Sequence, residues 1–336
     1  PRRRTGPCPE GTELGILKRE CEKRARHKPV RQLLSSIPTL LSTLKPCFLM
    51  SPLSVAQYLP AEISAFDLVV FDEASQIPVW DAVGVIARGK QLIVVGDPKQ
   101  MPPTNFFQKG DGEEVEAEDN VMEDPESILD ECRAAGVHST YLNWHYRSRH
   151  ESLISFSNHH YYDDRLFTFP AAADPEHLGM KFIFASGGVY DRRQSRTNAI
   201  EAEMLVQHVV KRLHNRETRD KSIGIVTFSQ AQKDLIEDLL EQARRKHPEL
   251  EKFFDDELDE PLFVKNLENV QGDERDVILF SICYAPDGDG KFSMNFGPLN
   301  RQGGERRLNV AITRAKEQVV VFSSIRGSQI DLARTA

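Results

Sequence analysis

The strongest constraint in this sequence is a series of short, unbroken apolar runs, each closing on small or polar residues: Cys47 to Met50, Leu68 to Phe71, Leu92 to Val95, Phe182 to Phe184, Ile223 to Val226, Val277 to Phe280 and Val319 to Phe322. A strand with one solvated face alternates apolar and polar residues, and a strand covered on both faces does not, so these runs read as fully buried parallel strands. Between several of them lie stretches of helical period, such as Ala199 to Leu213 and Ala231 to Leu240. Strand and helix alternating in this way predict an α/β fold with mainly parallel sheets. The 336 residues exceed the roughly 250–300 at which one core stops growing, and the strand series divides near Asn143, so two compact domains, 1–142 and 143–336, are expected.

Composition removes several classes of function. No apolar run approaches the roughly 18 residues that span a bilayer, so the chain reads as soluble, with no membrane partner. A net charge of −8 excludes a surface that coats nucleic acid throughout but leaves a local basic groove open. The five cysteines (Cys8, Cys21, Cys47, Cys132, Cys283) are scattered and form no C-x-x-C pair, which points away from a zinc site or a disulfide framework and towards a reducing cytoplasm. The basic start Pro1-Arg2-Arg3-Arg4 has no apolar segment behind it and no initiator Met, and reads as the beginning of a piece of a longer polypeptide. Up to Arg31 the charges fit a solvated helix, Lys109 to Ser127 reads as a mobile acidic loop, and Asp255 to Glu260 as a solvated connection.

In an open parallel sheet, ligands bind beyond the carboxyl ends of the strands, so polar residues directly after an apolar run are the first candidates for chemistry. Asp72 and Glu73 follow Leu68 to Phe71: adjacent carboxylates there can hold Mg2+ and activate a water, although a lone acidic pair is more often just solvated. After Leu92 to Val95 comes Gly96-Asp97-Pro98-Lys99-Gln100-Met101-Pro102-Pro103, where Gly96 permits a close backbone approach and the prolines stiffen the loop that carries Gln100. Tyr146-Arg147 sets a flat ring beside a planar fork of donors, a pair able to stack on a base and reach a phosphate; a buried aromatic beside a surface arginine is the plainer alternative. Gln271-Gly272-Asp273-Glu274 precedes a strand, its glycine marking a turn pressed against a ligand or another backbone. Arg306 to Lys316 reads as a helix feeding the last strand, in which Arg307, Arg314 and Lys316 would otherwise count as ordinary exposed cations.

Taken in order, DEASQ, GDPKQMPPT, HYRS, QGDERD and NVAITRAK resemble motifs II, III, the Tyr-Arg motif, V and VI of superfamily 1 helicases, and look most like the Upf-like branch with its DEAxQ, GDxxQLPP, QYRM, QGxE and VAxTRA patterns. The resemblance spans about Phe66 to Ser324, and Leu44 to Leu59 looks like the segment before motif II in large bacterial relatives of that group. It implies two RecA-like domains, the first one incomplete, with ATP between them and single-stranded DNA or RNA running across both. Carried over by position, Asp72 would hold Mg2+, Glu73 would activate the attacking water and Gln100 would sense the γ-phosphate. Tyr146 would stack on adenine, Gln271 and Gly272 would lie against the nucleotide, Glu274 would hold the ribose, and Arg147 and Arg314 would contact the γ-phosphate. Ser51 and Thr227 are the candidates for touching the strand's phosphates.

The sequence departs from the branch in one large respect. No G-x-x-x-x-G-K-[ST] run exists to cradle the phosphates, the stretch Gly6 to Gly15 included, so the expectation is a motor fragment that hydrolyses ATP poorly by itself. His145 stands where the branch has Gln, Ser148 where it has Met, and Thr227-Phe228-Ser229 where it has Thr-Pro-Tyr. Two other classes remain in view. One is a non-catalytic RecA-like scaffold that binds nucleic acid or protein, which has no use for Glu73, Arg147 and Arg314 together. The other is a metal-dependent nuclease built on Asp72, Glu73, Asp97 and Lys99, which leaves the later motifs unexplained.

Overall fold

The computed structural model describes residues 9, 11–60, 66–103, 127–171, 177–255, 257–300 and 303–331. All of the expected mobile loop except Ser127 lies outside the described residues, as does Pro1 to Cys8. The chain splits into two compact units, Pro1–Pro98 with Pro102–Ser139, and Lys99–Met101 with Thr140–Ala336. Among the described residues no helix is long and apolar enough to cross a membrane.

The first unit carries helices α1 (Glu13–Glu22), α2 (Val30–Ser35), α3 (Pro38–Leu44), α4 (Pro52–Tyr58), α5 (Val79–Ile86) and α6 (Ile128–Ala134), and strands β1 (Val69–Phe71) and β2 (Leu92–Val94). Thr12 starts α1 by accepting from the Gly15 amide at 3.1 Å, and Ser127 starts α6 by accepting from Asp130. The two strands pair in parallel with Val70 opposite Ile93. Phe71 packs with Ala74, Ala82, Ile128 and Leu129, but Val70 and Ile93 stay 54% and 48% exposed, so this sheet is covered on one face, not on both as its apolar runs predict. Cys47 to Met50 forms no strand, contrary to expectation, and Leu49 is almost fully exposed. A strand needs a neighbour for its N–H and C=O groups, and this run has none among the described residues.

The second unit holds α7 (Ser152–Tyr161), β3 (Gly179–Phe184), α8 (Ala199–His214), β4 (Ile223–Thr227), α9 (Gln230–Lys246), β5 (Phe263–Asn266), β6 (Arg275–Ser281), α10 (Gly304–Ile312) and β7 (Ala315–Ser323). Its five strands run parallel in the order β3-β7-β6-β4-β5. Successive residues of a strand point to opposite faces, and β6 shows why its run is unbroken. Val277 and Leu279 pack into a core with Leu205 and Val209 of α8 and Ile236 of α9, while Ile278 and Phe280 pack with Val310 and Ala311 of α10 on the other face. The α/β architecture with parallel sheets is therefore as expected. Strand β5 is absent from the expected series, because it is an edge strand whose apolar run is broken by Lys265.

The carboxyl ends of β6 and β7 close around one buried acid. Glu201, in the first turn of α8 and fully buried, accepts from Cys283 N at 2.6 Å, Ser281 Oγ at 2.8 Å and Ser324 N at 3.1 Å. Asn198 caps the same helix by accepting from Glu201 N, and donates to Ser324 Oγ at 2.8 Å. Cys283 lies in the left-handed region (φ +70°), a conformation that non-glycine residues adopt at a cost, and Glu201 holds its amide there. Burial outweighs these hydrogen bonds and pushes the Glu201 carboxyl up to about 7.

Two outcomes follow from this packing. Leu279→Ala removes a fully buried side chain from the α8–α9 core and is expected to cost about 2–5 kcal/mol, read as a lower urea midpoint at unchanged slope; a change below about 0.5 kcal/mol would show that the site collapses to fill itself. For Glu201 the folded carboxyl titrates above its unfolded value of 4.5, so its contribution is fully present below that pH and is lost as pH rises through about 7. The stability of Glu201→Gln relative to wild type is thus expected to rise between pH 5 and pH 8. Parallel midpoint-against-pH curves for the two proteins would contradict it.

Candidate functional site

In the first unit the acids stand where the apolar run predicts. β1 ends at buried Phe71, and Asp72 and Glu73 follow at its carboxyl end, both exposed. Asp72 Oδ1 accepts from Glu73 N at 3.0 Å, and Glu73 adopts φ +50°, ψ +40° before a 3-10 turn over Ala74–Gln76. That backbone is held in place because Ala74 N donates to Val95 O at 2.9 Å, at the end of the neighbouring strand. Gly96 makes the approach feasible: a Cβ there would stand 3.0 Å from Ser75 N and 3.1 Å from Ala74 N. The close approach expected of Gly96 is therefore to the turn that carries the acids. Asp72 and Glu73 offer exposed carboxylate oxygens, the donor type that Mg2+ accepts.

In the second unit the candidate residues gather at the other end of the sheet. Glu274 precedes β6 and Arg314 precedes β7, and the register sets Arg275 opposite Ala315, so both stand at the amino edge. The Tyr-Arg segment is drawn to this edge by backbone bonds: Arg149 N donates to Lys316 O at 2.7 Å, and its guanidinium pairs with Glu317. Arg147 Nε then donates to Glu274 Oε2 at 2.8 Å and its Nη1 to Thr313 O at 3.3 Å. Lys316 Nζ lies 3.3 Å from Glu274 Oε1 and 2.5 Å from Glu260 Oε1, and Ser222 Oγ donates to Glu260 Oε2 at 2.5 Å. Arg147, with Lys316 behind it, holds the Glu274 carboxyl below the usual carboxylate range, and Glu260 followed by Glu274 raises the Lys316 ammonium. Glu260, expected in a solvated connection, is instead half-buried and fixed by Lys316 and Ser222.

The other assigned residues divide by exposure. Tyr146 is 76% exposed and presents its ring to solvent. Arg314 is 2% exposed: its Nε donates to Val310 O at 2.8 Å and its Nη2 to Thr313 Oγ1 at 3.2 Å, curling it against the end of α10. Arg307 and Lys316 are also largely covered, so none of these cations is the ordinary exposed charge that spacing alone would give. His145 and Ser148, the departures from the branch pattern within the Tyr-Arg motif, satisfy each other: Ser148 N donates to His145 Nε2 at 3.2 Å, with Ser148 Oγ at 2.7 Å. Burial first, then Arg147 and Arg314, push His145 down to about 4, so it is neutral at pH 7.

Gly272 takes φ +87°, and a Cβ placed on it would meet nothing within 4 Å, so the turn needs glycine for its backbone, not for a tight contact. Beside it, Gln271 has both side-chain polar atoms buried without a hydrogen-bond partner among the described residues. Buried amides are nearly always paired, so this one fits a ligand that supplies a donor and an acceptor. The segment Lys99–Met101, which carries Gln100, belongs to the second unit: Met101 is buried in its core, and Lys99 O accepts from Asn309 Nδ2 at 2.9 Å. Ser51 is an exposed helix cap whose Oγ accepts from Ser54 N at 3.2 Å. Thr227 is wholly buried and its Oγ1 donates to Ser229 O at 3.0 Å, so as folded here it has no surface to offer a strand. Glu260, Thr313 and Asn309 were not among the expected residues; for Thr313 and Asn309 the signal was their place inside NVAITRAK.

Comparison with known proteins agrees with this arrangement of motifs. An AAA domain family matches residues 13–107, and a second AAA domain family matches residues 125–326, more than half of the chain. The uncharacterized ATP-dependent helicase MG140 of Mycoplasma genitalium is 38% identical over 299 residues, covering 86% of this chain and 26% of that protein. The DNA polymerase alpha-associated DNA helicase A of Saccharomyces cerevisiae is 25% identical, covering 93% of this chain and 46% of that protein. The chain thus spans about a quarter of the Mycoplasma relative and under half of the yeast one. Among solved structures, that of the PRRSV helicase covers 77% of this chain and 35% of its own at 14% identity, with a TM-score of 0.36. By its matched domains and its ordered motifs the chain belongs to the AAA domain helicases, in the Upf-like branch of superfamily 1.

Proposed function

We propose that this chain is the motor portion of an ATP-dependent superfamily 1 helicase or translocase acting on single-stranded DNA or RNA. The observation that carries the reading is the buried, unpartnered Gln271 amide three residues before Glu274, whose carboxylate is already gripped by Arg147 and Lys316. Such a cluster offers an amide for hydrogen bonding and cations for phosphate within one stretch of sheet edge. The relatives' names, ATP-dependent helicase and DNA helicase, support the same class of substrate.

In this reading Asp72 holds Mg2+, which when bound screens the phosphate charge. Glu73 accepts a proton from the attacking water, and Tyr146 stacks on the base. Gln100 orients toward the γ-phosphate. Arg147 reaches phosphate by leaving Glu274, and the exchange is inexpensive because both side chains are partly solvated, at 34% and 41%, where ion pairs contribute about 0–1 kcal/mol. Arg314 must first uncurl from Val310 and Thr313, so its engagement reports a rearrangement at the end of α10. Turnover requires a phosphate-cradling loop of the G-x-x-x-x-G-K-[ST] type, which this sequence does not contain.

Steady-state ATPase assays with Mg2+, with and without single-stranded DNA or RNA, test this. The chain by itself is expected to turn over slowly, and joined to a segment bearing the phosphate loop it is expected to be active. In the joined protein Glu73→Gln should lower kcat by about 10²–10⁴ and Arg147→Ala by on the order of 10³. Equal activity of wild type and Glu73→Gln would remove the assigned base, and no turnover by the joined wild-type protein would leave the scaffold reading in its place.

A further inference from the structure

Two histidines and a glutamate meet where α8 and α9 both end. His214 is the last residue of α8, His247 caps α9, and Glu249 lies in the 3-10 turn Pro248–Phe253 that follows. Glu249 Oε1 is 3.0 Å from His214 Nε2 and 3.4 Å from His247 Nδ1, and one ligand atom from each of the three residues lies within 4.8 Å of the others. His214 Nδ1 is 2.9 Å from Val210 O. A carbonyl only accepts, so Nδ1 carries a proton, and Nε2 is the ring nitrogen that faces Glu249, with its lone pair available whenever it is not itself protonated. Two acceptors at 3.0 Å need a proton or a metal cation between them, and a backbone carbonyl on the second ring nitrogen is the usual support for a histidine that binds a metal.

The spacing fits a particular cation class. Around a tetrahedral ion with bonds of about 2.0–2.1 Å, ligand atoms stand roughly 3.3 Å apart, between the two distances seen here. Two imidazoles with one carboxylate favour zinc and similar transition metals over the oxygen-bound Mg2+ or Ca2+. Both helices also direct the negative ends of their dipoles to this place. We propose that His214, His247 and Glu249 form a binding site for one divalent transition-metal cation of the zinc type, completed by water. It ties the ends of α8 and α9 to the turn that carries buried Leu250, next to Leu213 and Leu240 in the same core. The proposal is independent of the motor reading.

The test is titration of the metal-stripped chain with zinc chloride, followed by calorimetry and by thermal unfolding. One equivalent is expected to bind saturably and to raise Tm, whereas magnesium chloride at the same concentration does neither. His214→Ala, His247→Ala and Glu249→Gln should each weaken binding at least about tenfold and abolish the rise in Tm while keeping the wild-type circular dichroism. Glu249→Gln, on an exposed turn, serves if a histidine variant loses helix signal. No saturable binding by the wild type, equal binding of magnesium, or wild-type binding by any folded variant overturns the site and leaves a histidine–glutamate ion pair.

Discussion

A parallel sheet covered on both faces has only its two edges for polar chemistry, and the second unit divides its work accordingly. Along β4, β6 and β7 nearly every side chain is buried, so a charge in mid-strand would have no partner and no water. The carboxyl edge is closed by Glu201, whose oxygens take up backbone and hydroxyl donors from the ends of β6 and β7. The amino edge is open and ionic, with Arg147, Glu274, Lys316 and Glu260 linked in a chain. One edge is a seal that fixes the fold, and the other is a set of partly solvated ion pairs.

The two arginines at the open edge differ in what holds them, and the difference follows from burial. Arg147 shares a partly solvated pair, whose Coulomb energy is screened by water and salt. Arg314 is enclosed and donates to Val310 O and Thr313 Oγ1 at the end of α10, so releasing it breaks two buried hydrogen bonds. Neutral His145 is consistent with this arrangement. An imidazolium between these guanidinium groups would be repelled, and burial already disfavours its charge.

The parts of the fold that depend on pattern alone were readable from sequence, and those that depend on partners were not. Leu92 to Val95 and Val277 to Phe280 both look like buried strands, yet only the second is covered on both faces. Cys47 to Met50 has the same pattern and forms no strand, because pairing is a property of a neighbour and not of the run. β5 was missed because an edge strand tolerates a lysine that a central strand would not. At the candidate site, motif order brought out Arg147, Glu274 and Arg314. It gave no sign of Glu260, which reaches Lys316 from 56 residues away, nor that Thr227 would be buried. The rule that ligands collect at carboxyl ends selects Asp72 and Glu73, whereas the motif-derived candidates Glu274 and Arg314 stand at the amino edge.

The turn at Glu73 shows how a strained backbone is held at the end of a strand. A glutamate at φ +50° would relax in a free loop, since the left-handed region costs a non-glycine residue on the order of 1 kcal/mol or more. Here the next amide is bound to Val95 O, and the absence of a Cβ at Gly96 lets the two strand ends approach closely enough for that bond to form. Relaxing Glu73 would pull Ala74 out of the core it shares with Phe71 and Leu129. The strain is therefore offset by packing one residue away, and the backbone that carries the exposed Glu73 side chain is fixed at the strand end.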